Sequence, residues 1–85
     1  MKILLKLDSV HFTDEQNQDL YNNMIESDWD FPILPRSDEL FEFDDIVDED
    51  KWPEFYNGFL DWGVDVVKWT KINGTITPIL WLRGE

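Results

Sequence analysis

Residues 66–82, VVKWTKINGTITPILWL, are two strand-forming runs that meet at Asn73-Gly74. Asn-Gly between alternating apolar runs is the strongest short-range signal for a two-residue hairpin with a type I′ turn. Such a turn sets the register. Ile72 pairs with Thr75, Thr70 with Thr77, Trp69 with Pro78, Val67 with Leu80 and Val66 with Trp81. Pro78 then falls at a non-hydrogen-bonded pair, where its absent N–H points away from the partner strand. Proline inside sheets is mostly confined to edge positions, so the last strand is expected at the edge.

Alternation along the two strands assigns their faces. One face carries Val67, Trp69, Ile76, Leu80 and Leu82, with Asp65 and Lys71 at its ends; the other carries Val64, Val66, Ile72, Ile79 and Trp81 among Lys68, Thr70 and Thr75. Both are substantially apolar. One is expected to cover the rest of the core, and the second, if left open, marks a contact surface.

Four further elements complete the expected order. Ile3, Leu5 and Leu7 share one face of a strand over residues 2–10, with Leu4 interrupting the polar side. Thr13-Asp14-Glu15-Gln16 is a capping-box pattern that opens a helix expected to run to about Ser27, docked through Leu20, Tyr21, Met24 and Ile25. Pro32 and Pro35 make residues 29–36 an irregular connector. Residues 38–47, DELFEFDDIV, read as a second strand with Phe41 and Phe43 on one face and Leu40, Glu42 and Asp44 on the other. Trp52, Phe55, Tyr56, Phe59 and Leu60 recur at helical spacing, which predicts a helix over 51–62 with Asp50 as its cap, Pro53 in the first turn and Gly63 as its left-handed end.

The fold expected from this order, βαβαββ, is an α+β two-layer sandwich in one domain of 85 residues. A four-stranded mixed sheet, ending in the C-terminal hairpin, packs one face on two helices. The aromatic stripe of residues 52–60 is expected to meet Ile3, Leu5, Leu7, Phe41, Phe43, Trp69 and Leu80. Trp29 and Trp62 are read as lids on that core.

The charge is unevenly spread. The formal net charge is −12, and residues 13–61 alone carry −14. A negative field repels nucleic acid and anionic membrane surfaces, so neither is an expected partner. It attracts a basic protein and speeds the encounter. The apolar run at the N-terminus is too short for a signal peptide or a membrane span, so a cytoplasmic location is the default. With no cysteine in the chain, disulfides and thiolate metal sites are excluded.

Catalytic patterns are absent. His11 is the sole histidine, and Ser9, Ser27 and Ser37 lie outside any nucleophile elbow. There is no phosphate-binding glycine motif. Asp44, Asp45, Asp48 and Asp50 crowd together, but a calcium loop begun at Asp48 puts Pro53 where glycine is required and Phe59 where the bidentate glutamate belongs. No metal or cofactor is expected.

Two surfaces remain. The first is the acidic set Glu39, Glu42, Asp44, Asp45, Asp48, Glu49 and Asp50, read as a site for a basic protein. Small acidic domains that neutralise nucleases, or that imitate DNA toward a DNA-binding protein, use this physics, and alternating strand positions could space carboxylates like phosphates. The second is the hairpin face of Val66, Ile79 and Trp81, read as the contact of a homodimer. A carboxylate enzyme is the third alternative and would need two carboxyls converging in a pocket.

Overall fold

The computed structural model describes residues 1–85. The chain folds as β1 (Lys2–Ser9), α1 (Asp14–Asn22), β2 (Ile25–Asp28), β3 (Leu40–Phe41), α2 (Phe43–Ile46), β4 (Trp62–Ile72) and β5 (Thr75–Gly84), with one 3₁₀ turn at Glu49–Lys51. The five strands form a single mixed sheet in the order β2-β1-β5-β4-β3. β1 and β5 are parallel, and the other neighbours are antiparallel. The class is α+β as expected, with five strands rather than four and two short helices.

The hairpin forms in the register that its turn dictates. Asn73 and Gly74 both have positive φ, at 50° and 82°, and Trp69 faces Pro78. Two details differ from simple alternation. A bulge at Asp65 places one extra residue between Val64 and Val66, so Val64 pairs with Leu82 and turns to the core side, away from Val66. And β5 is not an edge: β1 lies along its outer side from Leu4↔Ile79 to Ser9↔Gly84. Pro78 escapes conflict because it sits one residue before that ladder begins. The run Ile79-Leu80-Trp81-Leu82 is apolar on both faces, as suits a central strand.

Helix α1 opens with the capping box. Gln16 N–H donates to Thr13 Oγ1 (3.1 Å), and Thr13 N–H donates to Gln16 Oε1 (2.9 Å). Thr13→Ala should therefore cost about 1 kcal/mol, read as a lower urea midpoint at unchanged slope. The helix stops at Asn22, five residues short of the expected end. Ile25–Asp28 pairs with β1 instead, which turns Ile25 and Ser27 toward the core and brings Glu26 Oε1 to 2.6 Å from Lys2 Nζ. That ion pair raises the Lys2 pKa and lowers that of Glu26.

The strand expected over 38–47 is reduced to Leu40–Phe41, and Glu42 starts the short α2. Phe41 and Phe43 are nevertheless both buried, and Glu42 and Asp44 are exposed. The helix expected over 51–62 does not form. Gly58 adopts φ 84°, Pro53 withholds a donor, and Trp62 and Gly63 belong to β4. Asp50 accordingly caps nothing, and Gly63 ends no helix. Most of the stripe still reaches the core without a helix, but Phe59 stays 60% exposed. Tyr56 and Leu60 are buried, and Trp52 and Phe55 pack against the cluster.

The core lies on one face of the sheet, built from Ile3, Leu5, Leu7, Val64, Leu80 and Leu82 beneath Phe12, Leu20, Phe43 and Tyr56. Trp29 stacks on Phe41, and Trp62 is buried within the cluster. Two of the expected core residues stay exposed, Phe59 at 60% and Trp69 at 55%. The covering layer does not reach the distal part of the hairpin, so Trp69 and Ile76 stand on the core-side face with nothing over them. No helix is long and apolar enough to cross a membrane.

Candidate protein-binding surfaces

Cross-strand pairing assigns each charged residue of the sheet to a face. The face away from the core carries Lys2, Lys6, Lys68 and Arg83 together with Asp8, Glu26, Asp28 and Asp65. Four bases meet four acids, so this face is neutral. Everything else in the chain holds fifteen acids against Arg36, Lys51 and Lys71, a difference of twelve. The formal net charge of the molecule therefore lies off this face, on the layer that covers the core and at the end of β4 and β5 where Asp38, Asp61 and Glu85 gather.

Within that layer all seven acids read from the sequence are exposed. Glu39 is held in a turn, where its carboxylate accepts from Arg36 N–H and lies 3.7 Å from the Arg36 Nε. The other six, Glu42, Asp44, Asp45, Asp48, Glu49 and Asp50, have no cationic partner. Glu42 precedes α2, Asp44 and Asp45 lie in its first turn, and Glu49 and Asp50 open the 3₁₀ turn. Negative charge suits these helix starts. Because residues 42–46 do not form a strand, the alternating spacing needed to imitate phosphates is missing. No three Asp, Glu or His side chains are grouped to hold a metal ion.

A cleft of ≈540 Å³ adjoins the acidic set. Its walls include Trp29, Phe31, Ile33 and Leu40, and Glu39 and Glu42 lie at it. Leu40 is 77% exposed, and Phe31 and Ile33 are exposed as well. Residues 29–36, expected only as an irregular connector, supply much of the cleft wall. The available signal was the prolines: an extended segment turns alternate side chains to opposite sides, so WDFPILPR cannot bury all of its apolar residues.

Val66, Ile79 and Trp81 do share the open sheet face, with Val66 opposite Trp81. They offer less apolar surface than alternation suggests. Ile79 is only 8% exposed between its neighbouring strands, and Lys6 Nζ lies 4.3 Å from the Trp81 ring centroid. Val66 remains 41% exposed.

Beneath the acidic layer, Tyr56 and Trp62 form a buried polar contact. Trp62 Nε1–H donates to Tyr56 Oη at 3.0 Å, and no buried side-chain polar atom is left without a partner. Burial is the main cause that raises the Tyr56 pKa above its ordinary value. The folded state thus favours the neutral phenol, and its contribution to stability is complete below the ordinary tyrosine value. It is lost as pH rises through the higher folded value. Tyr56→Phe should lose about 1–3 kcal/mol by leaving the indole N–H unpaired, and it should flatten the decline of stability above pH ~10. Urea titrations of both proteins across that range check both effects.

Comparison with protein-family models, curated proteins and solved structures found no match.

Proposed function

We propose that the chain is a non-enzymatic binding protein that engages a basic protein surface through Glu39–Asp50, in the manner of an inhibitor. The observation that carries this reading is the one-sided charge. A net −12 lying off the balanced sheet face, with six of the seven central carboxylates unpaired, is a field that steers a cationic partner toward the acidic layer. The apolar cleft beside Glu39 and Glu42 supports it further, since charge sets encounter rate and register whereas buried apolar anchors supply most of the affinity. The expected partner presents lysines or arginines around an apolar side chain that fills the cleft.

The test is capture from lysate by the immobilised chain, compared with the variant E42Q/D44N/D45N/D48N/E49Q/D50N. A specific partner should be retained at low salt by the parent alone and released as the screening length falls from ~10 Å at 0.1 M to ~3 Å at 1 M. Capture that is indifferent to both salt and neutralisation counts against the reading, as does the absence of any captured basic protein.

A further inference from the structure

β4 is eleven residues long, yet its outer side is paired only at its start. β3 covers Trp62 and Gly63. Asp38 N–H donates to Val64 O and Val64 N–H donates to Glu39 O, both at 2.8 Å, which extends the cover by one residue. From Val66 to Ile72 no strand lies alongside, and no turn or loop bonds to the backbone. The pair that closes a two-residue turn is hydrogen-bonded, and the pattern then alternates. Ile72, Thr70, Lys68 and Val66 therefore bond inward to β5, and the N–H and C=O groups of Val67, Trp69 and Lys71 point outward. Pro78, opposite Trp69, agrees with this assignment because it has no N–H to give. Such an edge is a template for another strand.

The absence of acids permits a second copy at this edge, and register sets how it would pair. Residues 66–84 contain no carboxylate. Two copies that each carry −12 can meet along this segment without apposing acids. An antiparallel copy centred on Trp69 is the arrangement that pairs all three outward residues. Val67 would face Lys71 of the partner subunit, Trp69 would face Trp69 of the partner subunit, and the partner's turn would end near the Asp65 bulge, just short of β3. The two indoles, each 55% exposed in the single chain, would then cover one another. We propose that the β4 edges of two copies pair antiparallel about a two-fold axis at Trp69, joining two five-stranded sheets into one of ten strands. This pairing is independent of the acidic-layer reading.

Sedimentation velocity of the full chain over a range of concentrations should show a monomer–dimer equilibrium. Lys71→Pro removes one outward donor per copy and none that bonds to β5, so far-UV dichroism should be preserved while the Kd rises about 10- to 100-fold. The chain has no cysteine, so Trp69→Cys creates a single thiol on the axis. Cα atoms across a hydrogen-bonded antiparallel pair lie ~5.5 Å apart, within disulfide reach. Trp69→Cys should therefore oxidise to a covalent dimer much faster than Val10→Cys, which is exposed and off the axis. A chain that stays monomeric at every concentration and cross-links no faster through position 69 than through position 10 overturns the proposal. Lys68 and Lys71 would then be guards that keep the edge single. A dimer indifferent to Lys71→Pro overturns it equally.

Discussion

Trp62→Ala should cost ~3–5 kcal/mol, the range for removing a buried tryptophan, and lower Tm by ~12 °C or more. Trp69→Ala, on the same strand, should stay within about 0.5 kcal/mol at concentrations where the chain is monomeric. The contrast follows from where the two rings lie. Trp62 is 2% exposed and packs against Phe12, Phe43 and Tyr56 at ring-centroid distances of 6.2, 5.5 and 5.6 Å. Its N–H is the donor to Tyr56 Oη, so the truncation also removes a buried hydrogen bond. At roughly 0.05–0.15 kcal/mol per residue, a domain this small has about 4–13 kcal/mol in total. The single change therefore removes a large part of the stability.

Gly84 shows how closely that ring is seated. It lies directly opposite Trp62 in the β4–β5 pair, and a Cβ built on it would meet two atoms of the indole at 2.9 Å and Leu60 Cδ1 at 3.0 Å. The ring lies across the space that any other residue would fill. Ser9 Oγ holds the same residue from the far side by donating to the Gly84 carbonyl at 2.8 Å. Equal losses for Trp62→Ala and Trp69→Ala, measured by denaturant titration followed in the far ultraviolet, would contradict this placement of the core.

The parts of the fold legible in the sequence are those fixed by local chemistry. The Asn73-Gly74 turn demands positive φ at both positions, and the five pairs derived from it all occur. The Thr13–Gln16 box is equally local and forms as written. Strand order is a non-local property that Pro78 does not fix, because one residue of offset between β5 and β1 decides whether a missing donor matters. Residues 52–60 show a different limit. Aromatic residues spaced three or four apart meet in a helix, but they also meet in a compact turn-rich segment when Gly58 and Pro53 discourage the helix. Burial follows the period there except at Phe59, which stays exposed, and the backbone is not helical. For the candidate site, composition revealed how much charge there is and where it sits along the chain. That it lies off a neutral sheet face required the cross-strand register. The cleft at Phe31, Ile33 and Leu40 and the bare edge of β4 required the sheet order as well.

Neutralising Glu42, Asp44, Asp45, Asp48, Glu49 and Asp50 together should stabilise the isolated protein, by ~1–2 kcal/mol or about 5–10 °C in Tm, while abolishing salt-sensitive capture of a basic partner. The change halves the formal net charge, from −12 to −6. All six side chains are exposed and unpaired, so their removal leaves no buried group stranded and relieves mutual repulsion instead. A small opposing loss comes from the helix starts at Asp44, Asp45, Glu49 and Asp50, where negative charge is favourable. Salt separates the two contributions. Added salt should raise the parent's Tm and raise the variant's by less, because repulsion between exposed charges is the quantity being screened. A variant that melts lower than the parent at low salt would mean that these carboxylates hold local structure, and their clustering would need no partner to explain it. A variant that melts higher yet loses its partner identifies a surface that keeps charge at the expense of stability, which is the physical signature expected of a binding site.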